Sequence, residues 1–374
     1  MTDPRIERLA SLLVGYSTSL RPGDRVLLEA EAAAEPLLRA LFERSLEAGA
    51  HPHLALSFAG QDTYTGFDDS FLRLASDAQL DYPATFQELA YHEFESRIRI
   101  YSSSNTRILM RADGARAARR SRAVQGITRT QMERGAQGEF RWVTTIFPAL
   151  GHAHDADMSL GEFETYVYRA CHVDDQEDPI VYWRAFRERQ ARWAEALTGR
   201  DRLEIHGPDC DLRLSIAGRR FISSCGMHNM PDGEIFSGPV ESSAEGRVRF
   251  SFPSVYKGNE VEGVELTFEQ GQVVAWRAQR NQAYLEQMLN TDPGARYLGE
   301  FGVGTNPALQ HPTRNILLDE KIGGTIHLAL GAGYPDTGSV NRSAIHWDML
   351  CDMRRDSEIR VDGDLIYQNG EFCL

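Results

Sequence analysis

Residues 25–56, RVLLEAEAAAEPLLRALFERSLEAGAHPHLAL, decide the fold class. Arg25 to Glu29 is a short apolar run after the Arg21-Pro22-Gly23-Asp24 turn, which predicts a buried strand. Over 34–48, Leu37, Leu38, Leu41, Phe42 and Leu46 recur at helical spacing, and Gly49 is placed to stop the helix as a C-cap residue. His51 to Leu56 reads as the next strand. Strand, helix and strand in that order call for a right-handed parallel crossover, so the chain opens as α/β.

Working outward, Ile6, Leu9, Leu12 and Leu13 predict an amphipathic helix before this unit. Beyond it, helices are expected around 68–80 and 86–95. The alternation from Ser96 to Leu109 predicts a strand, as does Arg141 to Ile146. Ser159 and Glu162 form a capping box that opens a helix over 160–171, and a long helix follows over 179–198. After Gly199 the texture changes to short strands divided by turns: 203–205, 212–216, 247–252, 261–268 and 273–278. The expected organisation is an N-terminal α/β domain over 1–200 with a mostly parallel sheet. A β-rich α+β domain over 201–374 follows it.

Composition narrows the function. The 374 residues carry a net charge of −14, which argues against a nucleic-acid partner. No apolar run reaches the ~18 residues of a membrane-spanning helix. The N-terminus starts directly as an amphipathic helix, without a signal-peptide pattern. Five scattered cysteines with no CxxC fit reduced thiols in a cytoplasm. A local run of arginines, Arg111 to Arg134, reads as a solvated helix face paired with nearby acids.

The chemistry gathers at the C-terminal end, in Gly331–Met353, GAGYPDTGSVNRSAIHWDMLCDM. His346 and Asp348 lie at i and i+2, so on a strand they project to one face. His327 stands in the alternating run Thr325 to Leu330, and Tyr334 follows after a tight glycine-containing loop. Taken alone, a His-x-Asp pair is more often a surface pair or a hydrogen-bonded histidine. Further acids stand beside glycines, which let backbones approach closely: Glu234 after Gly233, Glu300 in YLGEFGVG, and Glu320 in DEKIGG. Glu234, Glu300, His327, His346 and Asp348 are too many ligands for one structural ion and suit two divalent cations sharing a water. By contrast, His51-Pro52-His53 is expected to be structural, and His152 to Asp157, standing before a cap, to lie in solvent or on a cleft wall. Asp232 and Asp319 read as turn residues.

These stretches resemble the thermophilic-type metalloaminopeptidases, the aminopeptidase T, aminopeptidase S and PepS-like group. The resemblance covers nearly the whole chain, from LLVGYSTSLRPGDRVLLEA through HNMPDGEIFSGPVE to YLGEFGVGTNP and NRSAIHWDM. It implies two divalent ions per subunit (Zn²⁺, Co²⁺, Mn²⁺ or Mg²⁺) held by Glu234, Glu300, His327, His346 and Asp348. Asp348 is expected as the shared carboxylate, Tyr334 as the oxyanion stabiliser, and Glu300 or Glu320 as the proton shuttle. It further implies small peptide substrates, cleavage of the N-terminal peptide bond by a bridging hydroxide, and a homodimer. Two alternatives keep the scaffold: a mononuclear Fe²⁺ ring-opening dioxygenase, and a hydrolase of non-peptide amides. Glu300, where the dioxygenases carry a histidine, weighs against the first.

Overall fold

The computed structural model describes residues 3–373 except 59, 61, 175 and 176. The chain forms two compact units, residues 1–182 with 226–231, and residues 183–225 with 232–374.

The first unit is built on a five-stranded parallel sheet in the order His51–Ser57, Arg25–Glu31, Ser96–Tyr101, Arg141–Ile146, Asn229–Met230. The helix Glu35–Glu47 makes the expected crossover and buries Leu37, Leu38, Ala40 and Leu41. Gly49 ends it at φ +77°, in the left-handed region that glycine enters without a steric cost. Leu46, counted with the apolar face, is exposed. The strand expected over 96–109 stops at Tyr101. Its polar continuation, Ser102 to Ala112, forms turns leading to Asp113, whose carboxylate caps the helix Gly114–Ala136. The arginines on that helix pair with acids as expected: Arg119 with Asp77 and Asp81, and Arg120 with Asp62.

Two expectations change here. The division falls at 182/183, inside the helix Pro179–Leu197, and not at 200/201. Residues 226–231 also return to the first unit, because Asn229–Met230 pairs in parallel with the Arg141–Ile146 strand and extends its sheet. The stretch around His152 is the helix Leu150–Asp155, not a solvent-exposed loop. His152 is buried there, and its Nε2 accepts the Ser103 N–H at 3.2 Å.

The second unit is α+β, with an eight-stranded sheet running from Gln272–Arg277 to Glu371–Phe372 and a five-stranded antiparallel sheet. The latter runs His346–Asp352, Thr325–Gly331, Leu298–Gly304, Glu234–Ser237, Ile222–Ser224. Strand alternation divides its residues between two faces. Ile235, Phe301, Val303, Ile326, Leu328, Leu330, Trp347, Met349 and Cys351 enter a core cluster shared with Leu203, Leu212, Val248 and Ile359 of the larger sheet. The opposite face carries the charged residues and glycines, together with Phe236, Ala329 and Leu350.

Candidate metal centre

The ladder fixes which side chains meet. Glu234 is opposite Gly304, His327 opposite Gly302, Glu300 and Asp348 both opposite Ala329, and His346 opposite Gly331. Residues directly paired across strands share a face, so Glu234, Glu300, His327, His346 and Asp348 all project to the side away from the core. Small partners make this possible. A Cβ on Gly302 would fall 2.0 Å from His327 Nε2, so the imidazole lies over a bare backbone. Gly233, at φ +129°, turns the chain into Glu234.

Two overlapping ligand groups result: Glu234, Glu300 and His327, and Glu300, His346 and Asp348. In each, the donor atoms lie within 4.8 Å of one another. His327 Nε2 is 3.1 Å from Glu300 Oε1 and 3.3 Å from Glu234 Oε2. His346 Nε2 is 3.2 Å from Asp348 Oδ2 and 3.9 Å from Glu300 Oε2. Glu300 belongs to both groups, whereas the sequence reading gave the shared place to Asp348.

The donor set fits divalent cations. Glu234 Oε2, Glu300 Oε2 and Asp348 Oδ1 are buried and have no hydrogen-bond partner, a costly condition that a metal ion relieves. His346 Nδ1–H donates to the Ala332 carbonyl at 2.7 Å. That bond leaves Nε2, on the ligand side, with its lone pair. Burial opposes charging the imidazoles, yet the Glu300 hydrogen bond and the Glu234 charge lift His327 to about 9. Asp348 and Glu300 likewise lift His346 to about 10. Burial also pushes Glu234 well above the usual carboxylate range. Acids gathered this densely call for positive charge, and cations that supply it displace the protons.

Tyr334 lies beside this group, with its ring edge-on to His346 at 5.3 Å and tilted on Phe236 at 5.5 Å. Burial of its hydroxyl and then the surrounding carboxylates push its phenol up, although 48% of the residue's surface is exposed. Glu320 is not in either ligand group and pairs with Lys321. Asp319 is buried and accepts from both N–H and Oγ1 of Thr313 at 2.7 Å, a local brace.

Lys321 is the residue that the sequence reading missed. It is wholly buried, with Nζ 3.2 Å from Glu234 Oε1 and 4.0 Å from Asp232 Oδ1. Its only signal was position: a cation following two acids in DEKIGG, where the next strand brings His327. Asp232, read as a turn residue, is also fully buried.

Five side chains on one face, in two overlapping groups, could hold metal ions. Residues 2–372 match the model of the thermophilic metalloprotease family M29, and the chain belongs to that family. It is therefore a peptide hydrolase. It is 26% identical to aminopeptidase 2 of Geobacillus stearothermophilus, over 96% of this chain and 94% of that one. It is 27% identical to aminopeptidase T of Thermus thermophilus, over 98% and 95%. Among solved structures, wild-type AmpT from Thermus thermophilus superposes with a TM-score of 0.83 at 23% identity, covering 99% of both chains. The 2,5-dihydroxypyridine dioxygenase of Pseudomonas putida KT2440 superposes at 0.57 with 13% identity, covering 99% and 96%, a likeness of fold alone. No described helix is long and apolar enough to cross a membrane.

Proposed function

We propose that this chain is a metal-dependent aminopeptidase that removes the first residue of small peptides and uses two divalent cations. The observation that carries the reading is the pair of ligand groups joined through Glu300, in a chain whose relatives are named aminopeptidases. Glu234, Glu300 and His327 would hold one ion; Glu300, His346 and Asp348 the other. Bound there, divalent cations supply Lewis acidity and a water acidified enough to attack near neutral pH.

The chain's own groups do the rest. Tyr334, with its proton retained, donates a hydrogen bond to the oxyanion that forms at the scissile carbonyl. Glu320 carries the proton from the attacking water to the leaving amine. Glu300 is fully occupied within the two ligand groups, whereas the Glu320 side chain keeps 17% of its surface accessible. Acid-rich surroundings favour a free α-amine in the substrate, which restricts cleavage to the first residue. Zn²⁺, Co²⁺, Mn²⁺ and Mg²⁺ all suit these ligands. The reading includes a homodimer in the cytoplasm.

Chelator-treated protein should regain p-nitroaniline release from aminoacyl anilides as each metal is added, with two ions bound per chain at saturation. N-acetylated anilides should stay uncut. A single bound iron with O₂ consumption would replace this reading by a dioxygenase, and two ions with no aminoacyl cleavage by a non-peptide amidase.

A further inference from the structure

Glu234 presents its two carboxylate oxygens to different neighbours. Oε2 faces His327 Nε2 at 3.3 Å and has no hydrogen-bond partner. Oε1 meets Lys321 Nζ at 3.2 Å. The same ammonium also bonds to Glu320 and stands 4.0 Å from Asp232. An ammonium has three donors and no acceptor. Three carboxylates lie within 4.0 Å of it, and the Lys321 side chain has no exposed surface. Nothing in general packing asks for a lysine at such a place. Burying an ammonium is costly, and an apolar residue of similar length would fill the volume. Chain geometry sets the arrangement firmly: the Ile316–Asp319 turn of helix and the hydrogen bond from Lys321 N–H to the Leu318 carbonyl fix where the side chain starts.

We propose that Lys321 is a positioning residue for the metal centre. It holds Glu234 Oε1 so that only Oε2 is offered as a ligand, and it holds Glu320 outside both ligand groups. The inference rests on the two-cation reading given above. A carboxylate released from such a partner can swing to chelate one ion through both oxygens, or leave the site. Partners of this kind, one bond behind a ligand, alter metal affinity by about 10–100-fold when removed. Lys321 also balances the charge of Glu234 and Glu320, which otherwise repel each other beside the site.

The test compares Co²⁺ binding to the full chain and to Lys321→Met, using equilibrium dialysis and the visible absorption spectrum of the bound ion. The parent chain should take up two Co²⁺. Lys321→Met should keep its circular dichroism and elution volume, yet lose at least tenfold in affinity at one site with a changed Co²⁺ spectrum. Lys321→Arg should recover part of that loss. Unchanged stoichiometry, affinity and spectrum in folded Lys321→Met would overturn the proposal while leaving the two-cation reading intact. A parent chain that binds no Co²⁺ would instead bring down that reading, and the proposal with it. Lys321→Gln, neutral but still a donor, serves if the Met variant does not fold. Failure of both to fold in saturating Co²⁺ would assign the lysine to the fold and overturn its role at the site.

Discussion

Gly302 stands directly across the ladder from His327, and any β-carbon there would lie 2.0 Å from the imidazole Nε2. The ligand occupies the space that a side chain would take. Gly302→Ala should therefore push His327 off the ligand face, since the contact is with a ring held on a central strand. Overpacking of this kind costs about 1–3 kcal/mol. Metal content should drop together with the melting temperature. A Gly302→Ala protein with full metal content would show that the ring has another place to go.

Much of this site was legible because strand periodicity is rigid. In His346-Trp347-Asp348 the i and i+2 candidate ligands flank a tryptophan that enters the core, as alternation demands. His327 likewise stands between two core residues, Ile326 and Leu328, and Glu300 stands beside one, Phe301. Ladder register was not legible, since it depends on pairing between strands far apart in sequence. That is why Glu300, and not Asp348, emerged in both ligand groups. Lys321 was missed for a related reason: a charged residue in a turn reads as solvated unless its neighbours are known. His152 misled in the same way, because its partners, the Ser103 N–H and the Phe163 ring, are brought to it only by the fold.

Glu300→Gln tests the shared ligand. An uncharged amide is a poor partner for two cations, so fewer than two ions should remain bound. Losing several kcal/mol of transition-state stabilisation corresponds to roughly 10³-fold in kcat/KM. Burial raises the pKa of Glu300, so ionising it inside the protein has a cost that the amide avoids. The chelated variant should then melt no lower than the chelated parent. A large fall in the melting temperature with two ions retained would assign Glu300 to the fold.

His152 makes a pH prediction for the first unit. Burial lowers its pKa to about 4, below the ~6.5 of a free imidazole. Between those values the unfolded chain takes up a proton that the folded chain refuses. The stability is therefore complete above pH 6.5 and is lost as the pH falls towards 4, by up to about 3 kcal/mol. His152→Gln keeps an acceptor for the Ser103 N–H and does not titrate. Urea unfolding of this variant should be flatter across pH 4–6.5 than that of the parent. Parallel curves for the two proteins would refute the assignment.

Glu29 supplies the contrast to the site carboxylates, for it is buried, charged and fully answered by protein. Its Oε2 lies 2.6 Å from Arg99 Nε and 3.8 Å from Arg97 Nε, and Tyr64 donates to its Oε1 at 2.8 Å. Burial would raise its pKa, but the two guanidinium groups outweigh that and hold it below the usual range. Such a carboxylate needs no metal, and its removal leaves two arginine charges without their counter-ion. Glu29→Ala should cost about 3–5 kcal/mol, as for one partner of a buried ion pair. Glu29→Gln should cost less, because the amide oxygen still accepts from Arg99 and its NH2 can donate to the Tyr64 hydroxyl oxygen. Glu29 lies in the first unit, and Glu234, Glu300, His327, His346 and Asp348 lie in the second. Folded Glu29→Ala protein should accordingly bind as much Co²⁺ per chain as the parent. Loss of metal from that variant in proportion to its lost stability would mean that Glu29 acts on the site as well as on its own sheet.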